Sequence, residues 1–169
     1  MRLFFALWPR EDERDKLWAA IHAQRVRGRI VARENLHLTL RFLGQVTEQA
    51  YPEIVAAAGR VRAAPFTLIL DTIGVWPKAG VQWFGSSDVP PALLKLAEDL
   101  DIALQSCGIE PEPRPFAAHL TIARKVRGRR PAEPLPRIEL RVEDFVLVAS
   151  NTDPAGARYR LLERWPLGH

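Results

Sequence analysis

His37-Leu38-Thr39-Leu40 returns 82 residues later as His119-Leu120-Thr121-Ile122. The chain has 169 residues and only four histidines. Two His-Leu-Thr triplets are therefore not an accident of composition, and their separation of nearly half the chain reads as two related halves. Successive side chains of a strand point to opposite faces. His37 and Thr39 thus share one face, as do His119 and Thr121. Leu38, Leu40, Leu120 and Ile122 turn the other way, toward a core. Two such halves would bring two imidazole–hydroxyl pairs together across a cleft.

The surrounding pattern supports a mixed fold. Arg2 to Leu7 reads as a strand, and Glu11 to Arg27 as a helix with Leu17, Trp18 and Ile21 on one side. Leu36 to Leu43 alternates and stops at Gly44, as a strand does. Glu48 to Arg62 is helical, acidic near its start and basic near its end, as the helix dipole prefers. Phe66 to Val75 and Val81 to Phe84 are strands. Asp88-Val89-Pro90-Pro91 starts a helix that closes at Gly108. His119 to Ala123, Glu139 to Ala149 and Arg158 to Trp165 complete the strands. Arg127 to Arg137 reads as an exposed connection. Helices and strands do not alternate regularly, which predicts α+β architecture with mainly antiparallel sheets.

Composition narrows the function. The chain is 47% hydrophobic and 26% charged, values of an ordinary globular protein. No apolar run approaches the roughly 18 residues of a membrane span. The apolar start, Met1 to Pro9, lacks the length and cleavage site of a signal peptide, so a cytoplasmic protein is expected. The single cysteine, Cys107, excludes an internal disulfide and a multi-cysteine zinc site; beside Gly108 it reads as a small buried filler. The net charge of +4, weighted to arginine, is compatible with a phosphate-bearing partner without requiring one. No glycine-rich phosphate loop follows any strand.

Two imidazoles can serve as acid and base near neutral pH. Two hydroxyls can bind nonbridging oxygens, and arginines can neutralise an anion. Together they suit in-line hydrolysis of a phosphodiester. Zinc is the sharpest rival, but it asks for three or more ligands. Neither motif holds a second His, Cys or carboxylate. His22 and His169 have no partner pattern.

The sequence resembles the RNA 2′,3′-cyclic phosphodiesterases, historically called 2′-5′ RNA ligases, of the two-histidine (2H) phosphoesterase superfamily. The likeness runs through Arg2 to Leu7, Glu34 to Gly44, Trp83-Phe84-Gly85, Arg114-Pro115-Phe116, His119 to Arg124, Arg158-Tyr159 and Arg164-Trp165. The paired H-x-T-x motifs point to the superfamily and the flanking segments to the family. The resemblance implies a two-lobed α+β fold with pseudo-twofold symmetry: residues 1–169 form one domain of two interleaved lobes, with helices outside and a central cleft. It implies hydrolysis of an RNA terminal 2′,3′-cyclic phosphate to a 2′-phosphomonoester, with reversible 2′-5′ joining, and no metal or other cofactor. His37 would protonate the leaving O3′ and His119 would activate water. Thr39, Thr121 and Arg124 would bind phosphate. The partner would be an RNA end, the protein a monomer without a protein partner.

Two departures matter. The family commonly has Pro before the second His; here Ala118 stands there. In a regular strand, Arg124 would face away from His119, whereas Arg41 would share the face of His37. Arg124 can reach the site only through a bulge or strand end near Ala123. The same parity puts Phe42 opposite His37, on the core side. Phe42 and Phe5 are the aromatic candidates for stacking on a base. The alternatives are a relative acting on a small cyclic nucleotide and a non-catalytic RNA-binding module.

Overall fold

Leu38 and Leu120, the same position of the two motifs, face each other in an antiparallel pair. An antiparallel contact between equivalent residues is what a local twofold axis produces. The structure, a computed structural model, describes residues 1–128 and 134–168. Its strands are β1 (Arg2–Leu7), β2 (Arg29–Ile30), β3 (Leu38–Gln45), β4 (Phe66–Leu70), β5 (Thr72–Trp76), β6 (Val81–Gly85), β7 (His119–Arg124), β8 (Ile138–Val142), β9 (Asp144–Asp153) and β10 (Gly156–Pro166). The helices are α1 (Glu11–Ala23), α2 (Tyr51–Gly59) and α3 (Pro91–Gln105), with a short 3-10 turn at Arg33–Asn35. Residues 129–133, part of the expected connection, lie outside the described residues.

The main sheet has the order β10-β9-β1-β3-β7-β6-β5, with β2 added beside β7. The axis between β3 and β7 relates β1 to β6 and α1 to α3. The outer strands are exchanged: β9 of the second half lies against β1, and β5 of the first lies against β6. All of these ladders are antiparallel. Strands β4 and β8 form a separate antiparallel pair.

Two expected strands are each divided in two. Phe66 to Val75 breaks at Asp71, where the chain leaves the β4–β8 pair for the main sheet. Asp71 fixes the corner: its carboxylate accepts bonds from the Ser87 amide (2.8 Å) and hydroxyl (2.5 Å). Glu139 to Ala149 breaks at Glu143, between β8 and β9. The helices are shorter than their apolar patterns suggest. In α1, Glu13 bonds the Arg10 amide at the start (2.9 Å), and the helix ends at Ala23. Beyond α3, Gly108 adopts φ +76° and Ile109 donates back to the Leu104 carbonyl (3.3 Å), a glycine-dependent helix stop. Cys107 there is half-buried rather than buried.

The core lies on one face of the main sheet. Leu3, Phe5 and Leu7 of β1, and Leu38, Leu40, Leu120 and Ile122 of the motif strands, pack with Leu17 and Ile21 of α1 and Leu93, Leu96, Leu100 and Leu104 of α3. The other apolar residues of β1, Phe4 and Ala6, join Val146 and Val148 in a smaller cluster flanked by Trp8 and Tyr159. That second cluster borders the face carrying the histidines. Burial on both faces explains why β1 is apolar without alternation.

Candidate active site

The Leu38–Leu120 pairing sets the site. In an antiparallel ladder it brings His37 toward Thr121 and Thr39 toward His119, with the two histidines diagonal neighbours. Such neighbours stand about 7–8 Å apart in an ideal ladder. The strands meet at this single pair, so the site sits where they begin to part.

Each imidazole is held the same way. His37 Nδ1 donates to the Asn35 carbonyl at 2.6 Å, and His119 Nδ1 donates to the Ala117 carbonyl at 2.8 Å. A carbonyl only accepts, so Nδ1 carries the proton in both rings and Nε2 is left for chemistry. The anchoring carbonyls stand two residues before each histidine, a second repeat of the 82-residue spacing. The Thr39 hydroxyl lies 3.0 Å from His37 Nε2, to which it can donate while the ring is neutral.

The surroundings break the symmetry. His37 lies among three aromatic rings. Trp8 is stacked on it (5.4 Å, 15°), Phe4 is tilted against it (4.9 Å) and Tyr159 meets it edge-on (5.2 Å). The Arg14 guanidinium lies 5.0 Å from the centre of the Trp8 ring and donates to the Arg33 carbonyl at 2.8 Å. Thus Arg14 touches both Trp8 and the turn that ends in Asn35. Among the described residues, His119 has one close aromatic neighbour, Trp76, edge-on at 4.5 Å, itself tilted against Trp83. Burial pushes the His37 pKa down to about 4; the Asn35 carbonyl opposes the shift, and Arg124, Arg14 and His119 add to it. Burial also lowers the pKa of the more open His119, against the pull of the Ala117 carbonyl and with the help of Arg124. Both rings favour the neutral form in the free protein.

A pair of bulges decides which side chains join them. Against β6, the β7 ladder slips between Ala123, opposite Gln82, and Thr121, opposite Trp83. Ile122 and Ala123 are both fully buried as a result. Alternation resumes one residue late, and Arg124 comes onto the histidine side. It lines a cavity with His37 and Thr121. The first half repeats the slip at Leu40, since β1 pairs Ala6 with Thr39 but Phe5 with Arg41. This overturns two expectations from parity. Arg41 points away from the site, ion-paired with Asp101 and Glu112 at 2.9 Å each. Phe42 is not in the core: it is 61% exposed and packs on Phe4, 5.8 Å between centroids. Phe5 is fully buried in the core, remote from any base-stacking role.

The cavity beside His37 has a volume of about 380 Å³. Its walls include Ile30 to Ala32, Tyr159 and the tip of the β9–β10 hairpin. Asn35 holds that hairpin by donating its side-chain amide to the Ala157 carbonyl (2.9 Å). Sequence reasoning named the four motif residues and Arg124 as candidates but not the cage of Phe4, Trp8 and Tyr159, nor Trp76. Phe4 and Tyr159 stood in segments carrying the resemblance; Trp8 and Trp76 gave no signal beyond being aromatic. Among the described residues, no helix is long and apolar enough to cross a membrane.

A family model described as LigT like Phosphoesterase matches twice, at residues 7–83 and 84–159, one motif in each match. The RNA 2′,3′-cyclic phosphodiesterase of Escherichia coli (strain K12) is 36% identical over 170 residues, covering 98% of this chain and 96% of that protein. A crystal structure of a phosphoesterase superposes with a TM-score of 0.93 at 34% identity, covering 99% of this chain and 98% of that one. The structure of E. coli LigT complexed with 3′-AMP gives 0.90 at 36% identity with the same coverage.

Proposed function

The chain belongs to the LigT-like phosphoesterase family, and from that premise we propose how its own residues divide the work. The reaction is hydrolysis of the 2′,3′-cyclic phosphate at an RNA end. Water attacks phosphorus, the P–O3′ bond breaks, and a 2′-phosphomonoester remains. His119 Nε2 takes the proton of the attacking water. His37 Nε2 gives a proton to the departing O3′. Thr39 and Thr121 hold nonbridging oxygens, and Arg124 balances their charge. The observation carrying this reading is the matched pair of Nδ1–carbonyl bonds, which presents two Nε2 atoms from equivalent positions on the two sides of one site.

The leaving oxygen belongs to the ribose, so the nucleoside must lie on the side of the acid. The cavity lies beside His37, which supports His37 in that role. The depressed pKa of His37 bears on how it is loaded. Its ring is neutral in the free protein, and a bound phosphate anion favours the imidazolium, so the proton is taken up with the substrate. Exchanged roles have one observation in their favour: the deeper, more strongly neutral ring is the better candidate for a resting base. A cytoplasmic monomer acting without metal completes the reading.

The test is incubation of a 2′,3′-cyclic-phosphate oligoribonucleotide with the protein, followed by identification of the product ends. A 2′-phosphate is expected. A 3′-phosphate would reverse the bond assignment, and an unchanged substrate would refute the activity.

A further inference from the structure

Arg124 does not stand alone. Strand β2 pairs with the end of β7 so that Arg29 lies directly opposite Arg124. Like charges at directly opposed positions destabilise a sheet. Among the described residues, none of Arg29, Arg124 and Lys125 forms an ion pair with a carboxylate. Lys125 adopts φ +55°, a left-handed conformation that disfavours a side chain like lysine. Backbone strain of this kind concentrates at ligand sites. The crossing beneath is tight: a β-carbon on Gly28 would stand 2.7 Å from the Arg124 carbonyl oxygen. Arg29 is oriented by a 2.7 Å bond to the Ala155 carbonyl at the hairpin tip. A guanidinium has five N–H donors, so most of them remain for a ligand.

All three cations line the cavity that begins at His37 and Thr121. At about 380 Å³, it falls in the range of small-molecule sites and exceeds what one phosphate fills. Its wall includes the apolar run Ile30, Val31 and Ala32, which follows β7 from Ala123 back toward Thr121, on the histidine side of the three cations. With Arg124 given to the cyclic phosphate, Arg29 opposite it and Lys125 next to it leave two further cations for a second phosphate.

We infer that Arg29 and Lys125 form a second phosphate subsite, for the phosphate on the 5′ side of the terminal nucleotide. The inference rests on the reading that places the cyclic phosphate between His37 and His119 with its nucleoside in the cavity. It makes the protein selective for a chain end over a free cyclic nucleoside. The phosphate of a 5′-phosphorylated mononucleotide would serve as the minimal ligand.

The experiment compares kcat/KM for a nucleoside 2′,3′-cyclic phosphate with and without a 5′-phosphate. The parent protein should prefer the 5′-phosphorylated compound by about tenfold or more, the scale of charge-assisted contacts. The preference should fall toward unity in the Arg29→Met/Lys125→Gln double variant. Lys125→Gln alone should give part of the loss; Lys125 makes no side-chain bond to the hairpin, so that loss separates anion binding from loop support. Salt should weaken binding of the 5′-phosphorylated compound more steeply than that of the compound without it. A parent ratio of one, or a ratio kept in the double variant, overturns the subsite. No turnover of either compound refutes the site reading itself and the subsite with it.

Discussion

Phe42 and Arg124 hold the same place in the two halves of the cleft, 82 residues apart, each brought there by the same bulge. One is an exposed ring and the other an exposed cation. The scaffold is nearly symmetric, but the reaction is not. In the proposed reaction, the cation at this one of the two equivalent positions sets which way the substrate lies.

Arg124 should therefore matter through its charge. Arg124→Met should lower kcat/KM on a cyclic-phosphate oligonucleotide by about 10²-fold, as loss of one oxyanion contact does elsewhere, and Arg124→Lys should recover part of it. A fully active Arg124→Met would mean that the phosphate binds elsewhere.

The two histidines should each cost about 10²–10⁴-fold in rate when changed to alanine. A substrate with sulfur in place of O3′ separates their roles, because a thiolate leaves without protonation. His37→Ala should then be largely rescued and His119→Ala should not. Rescue of His119→Ala instead would exchange acid and base.

Stability should fall in mild acid. The His37 pKa is about 4 in the folded protein, against 6.5 in its ordinary state. Between those values the unfolded chain binds more protons, so stability is full above pH 6.5 and is lost as pH falls toward 4. The loss from this ring at pH 4.5 is on the order of 2–3 kcal/mol, and His119 shifts in the same direction. Urea denaturation at pH 7 and 4.5 measures it. His37→Gln should shrink the difference between the two; an undiminished difference would assign the acid sensitivity to other groups.

Activity should persist in excess EDTA. Among the described residues, no three His, Cys, Asp or Glu side chains are grouped to hold a metal ion. Inhibition by EDTA with recovery on adding a divalent cation would contradict the proposed chemistry.

Gly74 supports the His119 side. A β-carbon there would stand 2.1 Å from the Trp83 ring, and Trp83 packs on Trp76, the neighbour of His119. Gly74→Ala should cost about 1–3 kcal/mol, the range for overpacking, in thermal or urea melts. A neutral effect would show that Trp83 can move freely.

The duplicated tetrapeptide made the architecture and the pairing of the two His-Thr motifs legible, because strand periodicity and residue chemistry coincide there. What it concealed has one physical origin. Faces can be assigned from sequence only while the period stays at two, and an extra residue at Leu40 or Ile122 reverses every assignment beyond it. Hence Arg41 and Phe42 exchange their expected sides, while Arg124 reaches the site. The two divided strands were hidden differently: Asp71 and Glu143 turn the chain between sheets without a glycine or proline to mark the corner. The two-residue β2 was too short for any periodic signal.

The exchange of outer strands has a consequence for how the molecule is made. Strand β1 needs β9 along its second edge, where Arg2 pairs with Ser150. At about 5–20 residues per second of synthesis, the first strand waits on the order of ten seconds for β9 to emerge. During that time its apolar run, Leu3 to Leu7, has β3 along one edge and nothing along the other. Non-local pairing of this kind also slows folding once the chain is free. Nascent chains stalled before Asp144 should leave β1 open to proteolysis, and those extended past Pro166 and clear of the ribosome should protect it.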